Sequence, residues 1–518
     1  MAQSSPILSQ LSATVAAGTI LVSLISYIAA RLLYNIYFHP LAQFPGPWYA
    51  TATSLTDAII SLRKAEPAWL LGLTKKYGTD RPIRIAPRTL LFASSSSLKD
   101  IYWDARMNFK SELYGTGALG PPSLFDTRDG KIHQQLRKAL GGNQWSIGSL
   151  KNFWEPKFDQ HISLFLQKMT DIANAKQETI LSDRVAEFAA DIMTMVSFSE
   201  PWGFVRHGRD ERGILHSWRL GLPFFGLVGR WRWFRQNIIA NPNLAHYFLP
   251  AMSDKQGMGY LYAQANREVD HREMRMKAEG ESFYMERPDF LQHCLDARHP
   301  LTGLPLTAVQ KRAHVTLLIQ AGADTTATAL GSTLRFLLLN PRILRKAQEE
   351  IGMADREGKL SNPIAYEESR RLLPYMGACI KEALRLNPPA PNQFGRVTPE
   401  GGKTIDGHRI PPLVDVTTVS YIVQRDPKLY APDPESYRPE RWIDAEAVKL
   451  AEMESSQFVF GMGPRVCLGK DIAIMELWKL LPEIIRNFEF ELLDIGRYIV
   501  AGGVAYNYGL KVNLALRR

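Results

Sequence analysis

The sequence predicts a mostly α-helical protein, one large domain behind an apolar N-terminal helix, and three observations carry this reading. Thr307-x-x-Gln310 forms a capping box ahead of a segment that runs to Asn340-Pro341. A helix of roughly 33 residues is about 50 Å long, enough to cross a whole domain. From Ser12 to Phe38 the chain is apolar and uncharged until Arg31. Between about residue 50 and the end there is no Gly/Ser linker, charge block, low-complexity tract or repeat. With 518 residues, 45% hydrophobic and 22% charged, such a chain can bury one large core.

Residues 12–38 read as a transmembrane anchor, because about 24 helical residues span about 36 Å. Residues 1–11 carry no basic side chain, which a signal peptide would want, although a cleaved signal remains the alternative. Arg31 and the later basic residues place the C-terminal side in the cytosol and leave 1–11 as a short lumenal end, with Tyr27, Tyr34 and Tyr37 as interface anchors. Residues 39–49 follow as a proline-rich hinge through Pro40, Pro45 and Pro47, whose rings fix φ. Residues 50–518 are expected to form the one large folded domain.

Asn340 reads as the cap of the helix after the long one, with Pro341 in its first turn. Cys294, Cys379 and Cys467 are too few and scattered for a disulfide framework or a zinc site, which points to a reducing, cytosol-facing compartment. Net charge is +10, which favours anionic membrane surfaces or an acidic protein partner. No zinc finger, helix-turn-helix signature or dense Lys/Arg run is visible, so nucleic acid is not expected as a partner.

The chemistry sits near the C-terminus, in Phe460-Gly-Met-Gly463-Pro-Arg465-Val-Cys467-Leu-Gly469. One soft sulfur, one cation and three glycines around a tight turn suit an iron porphyrin. A thiolate ligand pushes electron density onto haem iron and favours O–O cleavage. Cys467 is the candidate iron ligand, Gly461, Gly463 and Gly469 let the backbone curl beneath the sulfur, Phe460 screens it, and Arg465 meets a propionate. A buried cysteine beside a glycine turn is the bland alternative. The stretch resembles the haem-binding signature F-x-x-G-x-R-x-C-x-G of the cytochrome P-450 family, the haem-thiolate monooxygenases.

Within the long helix, Ala321-Gly322-Ala323-Asp324-Thr325-Thr326 offers small residues that let a flat ligand approach and hydroxyls that can break the backbone ladder. It is similar to the family's oxygen-binding motif. The resemblance implies that Thr325 holds a hydrogen bond to activated dioxygen and that Asp324 delivers protons. Alone, an acid and two threonines are ordinary surface or packing residues. Glu382 and Arg385 lie on one helix face and, by resemblance, join Arg441 in a trio that holds the haem-binding core. His133-x-x-x-Arg137, one helical turn apart, and Arg396 are the further candidates for the propionates. A solvated helix face would also explain the first two. Gln424 replaces a more usual histidine, and Pro411-Pro412-Leu413 replaces a common Pro-x-Gly turn.

The resemblance covers roughly residues 35–518 and looks most like membrane-bound fungal members. It implies a mostly α fold with a smaller β region, haem with an axial Cys thiolate, and a single-pass endoplasmic reticulum protein with its catalytic domain in the cytosol. NADPH is then used indirectly, through an NADPH-cytochrome reductase, with cytochrome b5 as a candidate second partner beside membrane lipid. Residues 114–125, 222–228, 390–394 and 503–506 occupy the family's substrate-contacting positions, and their few charges imply a lipophilic small-molecule substrate. Gly502-Gly503 stands where relatives often have proline. The aromatic and basic run 224–235 suits a surface dipping into lipid headgroups or a buried helix end. The implied activity is monooxygenation in fungal secondary metabolism, on a terpenoid, polyketide or alkaloid. The alternatives are a haem-thiolate isomerase or dehydratase without a reductase, and a non-catalytic protein that binds haem and a lipophilic ligand.

Overall fold

The computed structural model describes residues 6–142, 145–283 and 288–517. Its principal helices are α1 (Pro6–Leu33), α2 (Gly130–Leu140), α3 (Leu181–Phe198), α4 (Ile214–Arg230), α5 (Gly257–Glu279), α6 (Ala308–Leu339), α7 (Pro341–Arg356), α8 (Pro374–Leu386) and α9 (Lys470–Asn487). The strands are β1 (Ile83–Ala86), β2 (Thr89–Leu91), β3 (Thr179–Ile180), β4 (Arg396–Val397), β5 (Lys403–Ile405), β6 (His408–Ile410), β7 (Asp415–Thr417), β8 (Phe488–Asp494), β9 (Arg497–Ala501), β10 (Val504–Tyr508) and β11 (Lys511–Leu516). They make four small sheets, ordered β1-β2-β7-β4, β3-β11-β8, β9-β10 and β5-β6. The mostly α fold with a smaller β region is thus as the sequence implies.

The expected capping box opens α6: Gln310 N–H donates to Thr307 Oγ1 at 3.2 Å, and Thr307 N–H to Gln310 Oε1 at 2.9 Å. Leu330, Leu334 and Leu337 are fully buried along it, in the core cluster shared with α3, α8 and α9. Gly322 lies against Met193 of α3, and a Cβ there would collide with that side chain. The glycine therefore lets two helices cross closely, a use the sequence reading assigned to ligand approach. Asn340 is the N-terminal cap of α7 as expected, its carbonyl accepting from Ile343 N–H at 2.9 Å and Leu344 N–H at 3.0 Å, while its side-chain amide donates back to Phe336 O of α6 at 2.8 Å.

The apolar segment Val15–Phe38 is long enough to cross a bilayer, and none of it is buried against the rest of the chain. Of the expected lumenal end, residues 1–5 lie outside the described residues, and helix begins at Pro6. The hinge is more than a spacer. Leu41 and Phe44 are buried in a satellite core with Tyr102 and Phe458, and Arg84 N–H donates to Pro45 O at 2.7 Å. A short helix, Trp48–Ala52, starts inside the expected hinge.

Glu382 and Arg385 form a two-point pair, Nε–Oε2 and Nη2–Oε1 both 2.8 Å, with Arg441 Nε 3.3 Å and Trp442 Nε1 2.9 Å from the same carboxylate. Gln424 donates to Leu384 O and Arg385 O and accepts the Phe458 N–H at 2.8 Å. The substituted glutamine thus ties α8 to the strand of chain leading into the Cys467 loop. Leu413, at the position expected to favour glycine, has φ 56°, in the left-handed region.

Candidate functional site

The Cys467 loop closes on itself. Cys467 N–H donates to Phe460 O at 2.8 Å, and the chain then enters α9 at Lys470. Gly461 and Gly463 have φ of 70° and 68°, and a Cβ on Gly463 would meet the Tyr102 carbonyl. Gly469 differs from expectation: its φ is −86° and no protein atom lies within 4 Å of where a Cβ would stand. The room beside it suits a flat ring. The Cys467 side chain is open on one side. Burial by its surroundings raises the thiol pKa, while the Gly469 N–H, Arg137 and Lys470 favour the thiolate. These fit a sulfur that faces an internal cleft and receives a backbone donor.

Four cations converge beside the loop. Arg137 on α2 donates to Val466 O at 2.6 Å. Arg396 on β4 is buried, donates to Phe394 O and Gly395 O, and stacks 4.9 Å from the Tyr102 ring. Arg465 donates to Asn108 Oδ1 at 2.6 Å, Thr127 O at 2.8 Å, Arg128 O at 2.9 Å and Asn108 O at 3.0 Å. It therefore staples the Cys467 loop to residues 108–129, which leaves few of its five N–H groups for another acceptor. Burial and Arg396 push its pKa down to about 9. Lys110 is the fourth. Among the described residues, none of these cations has a carboxylate within ion-pair distance, the pattern expected of a site built to hold anionic groups. His133 is 3% exposed, so the solvated-face reading does not hold, and its Nδ1 has no hydrogen-bond partner. Burial and the surrounding cations push its pKa down to about 3. An open thiol, room beside Gly469 and four cations without carboxylate partners, two of them buried, together fit an iron porphyrin with two carboxylates.

On α6, Ala321 is exposed and Thr325 is half-buried beside it. The Thr325 hydroxyl donates to Ala321 O at 2.8 Å, while the helix runs unbroken through this segment, without the break in the ladder that the sequence suggested. Asp324 is buried, and both of its oxygens are held by Arg219 of α4, Nε–Oδ2 2.9 Å and Nη2–Oδ1 2.6 Å. Sequence reasoning missed Arg219. Its only signal was a single cation amid the apolar Ile214–Leu222 stretch.

The four substrate segments are neighbours. Gln320 Nε2 of α6 donates to Leu119 O, and Leu124 N–H to His314 Nε2. Ala505 N–H donates to Pro389 O, and Thr328 Oγ1 to Ala505 O. The Gly502-Gly503 tip lies against Leu222 and Asn392, where any Cβ would collide. A buried polar network, also unforeseen, backs this wall: Arg230–Glu66 at 2.8 Å, Arg230–Asn392 at 3.1 Å and Gln393–Asp57 at 3.1 Å. Burial and Glu66 push the Asp57 pKa up to about 7. Of the run 224–235, Phe225, Arg230 and Phe234 are buried, as a buried helix end would have them, while Trp233 is 56% exposed.

Residues 124–497 match the family model described as Cytochrome P450. The chain is 28% identical over 508 residues to cytochrome P450 monooxygenase gsfF of Penicillium aethiopicum, covering 96% of this chain and 98% of that protein. It is 28% identical over 484 residues to quiannulatic acid synthase of Emericella variicolor, covering 88% and 90%. Against cytochrome P450 monooxygenase mpaDE of Penicillium brevicompactum it is 29% identical over 495 residues, 92% of this chain, and spans 55% of that protein's length.

Proposed function

Because the chain belongs to the cytochrome P450 family, as a monooxygenase of secondary metabolism, we propose that it inserts one oxygen atom of dioxygen into a lipophilic small molecule of terpenoid, polyketide or alkaloid type. The observation that carries this reading is the meeting of the open Cys467 thiol with buried cations that lack carboxylate partners. Haem supplies the dioxygen chemistry, and the protein supplies orientation, proton access and ligand tuning.

Cys467 would hold the haem iron through its sulfur, with the Gly469 N–H and Phe460 around the sulfur and Gly463 holding the turn. Arg396, His133 and Arg137 would face the two carboxylates. Arg465 would act mainly through its charge and the loop it staples. On α6, Thr325 can accept a hydrogen bond while its own proton rests on Ala321 O. Asp324 can move a proton only after releasing at least one Arg219 N–H, so its delivery role couples to the position of α4. We place the anchor in the endoplasmic reticulum membrane with the catalytic domain in the cytosol, and an NADPH-dependent reductase as electron donor attracted by the net charge of +10.

Membranes holding this protein and a reductase, given NADPH, labelled dioxygen and lipophilic candidates, are expected to yield a product with one labelled oxygen, read by mass spectrometry. NADPH-independent conversion without label would replace monooxygenation by isomerisation or dehydration. For Thr325→Ala, product formed per NADPH is expected to fall about ten-fold or more, with peroxide released. Alanine keeps the helix intact. Normal coupling in that variant would remove Thr325 from the mechanism.

A further inference from the structure

Lys110 is 5% exposed and sits directly opposite Arg396 in an antiparallel β-bridge. Residues so paired project to the same face with their Cβ atoms about 5 Å apart, and like charges in that register repel. The backbone fixes this arrangement. Lys110 N–H donates to Arg128 O at 3.0 Å, Ser111 N–H to Gly395 O at 3.2 Å, and Val397 N–H to Phe109 O at 3.0 Å. The ammonium lies 3.9 Å from the Tyr114 ring centroid and 4.4 Å from that of Phe125, and donates to Phe125 O at 2.5 Å. Its charge also acts on His133, whose pKa it helps to lower together with Arg465, Arg137 and Arg396. The one acid that acts on it, Asp126, is turned to Ser123 Oγ at 3.2 Å and makes no ion pair with it.

Burial of Lys110 against a guanidinium across a fixed bridge, with a second guanidinium beside it, pushes its pKa well down, a penalty on its charge that no protein carboxylate offsets. We propose that Lys110 is a haem-binding residue, its ammonium pairing with a propionate alongside Arg396. The proposal rests on the haem reading of the Cys467 site. It adds a contact from the 108–129 loop, so that the segment stapled by Arg465 is itself anchored to the cofactor.

The test compares Lys110→Met and Lys110→Arg with the wild type, each with and without haem. Relieving the repulsion is expected to make the haem-free Met variant more heat-stable than the haem-free wild type. Its haem-loaded form is expected to lose haem to apomyoglobin about ten-fold faster and to have a lower reduction potential. The Arg variant is expected to restore retention and potential. A lysine that merely holds the loop through Phe125 would instead make the Met variant less stable in both forms and leave potential and haem transfer unchanged, which overturns the proposal. A wild type that retains no haem would overturn the haem reading itself, an outcome separable from either.

Discussion

Cys467→Ser is expected to lose the red-shifted Soret band that a thiolate gives the ferrous carbon monoxide complex, and to lower turnover by about a thousand-fold or more. Serine is nearly isosteric with cysteine. The Cys467 N–H to Phe460 O bond is made by the backbone and survives the change, as do the left-handed Gly461 and Gly463. The fold around α9 therefore stays, and what changes is the ligand atom. Oxygen is harder and less polarisable than sulfur, so it pushes less electron density toward the metal, and the assistance to O–O cleavage is lost. A thousand-fold loss corresponds to about 4 kcal/mol of barrier. The Gly469 N–H, which favours a thiolate at position 467, has no comparable anion to stabilise in a serine hydroxyl near neutral pH. An unchanged band in the serine variant would remove Cys467 as the ligand.

That loop was legible because its parts are contiguous: sulfur, turn glycines and cation sit within ten residues, and local sequence fixes local backbone. The helix α6 was legible for a similar reason, since Thr307 and Gln310 cap each other across one turn. What could not be read lies in pairs distant along the chain. Arg465 carries the expected charge, yet its N–H groups go to carbonyls of Asn108, Thr127 and Arg128, which nothing near residue 465 announces. Gly322 looked like space for a ligand and is space for Met193. The cations Lys110 and Arg396 face each other only because an irregular segment and strand β4, 286 positions apart, meet in a single bridge. Spacing arguments see helix faces and turns. They do not see which faces meet.

The pair between Asp324 and Arg219 is the other such meeting, and it sets the last prediction. Burial works against the Arg219 charge, but the carboxylates of Asp324, Asp183 and Asp210 around it outweigh that and raise its pKa. Asp183 and Asp210 have pKa values raised by burial and held back by Arg219. Arg219→Gln removes the cation shared by these three acids and is expected to cost about 3 kcal/mol of stability at neutral pH, the range for breaking a buried pair. The sign of its pH dependence follows. In the variant Asp183 and Asp210 bind protons more tightly folded than unfolded, so the penalty is full well above their raised folded values and fades as pH falls toward the unfolded value of about 4. Melting temperatures of variant and wild type should converge as pH falls from neutral toward the unfolded carboxyl range, and a constant gap would refute the charge argument. Asp324→Asn separates structure from chemistry. Arg219 keeps Asp183 and Asp210 as neighbours in that variant, so a smaller loss of stability is expected together with poor coupling of NADPH to product. If Asp324 were only the counter-ion of Arg219, the asparagine variant would match Arg219→Gln in stability and keep its coupling.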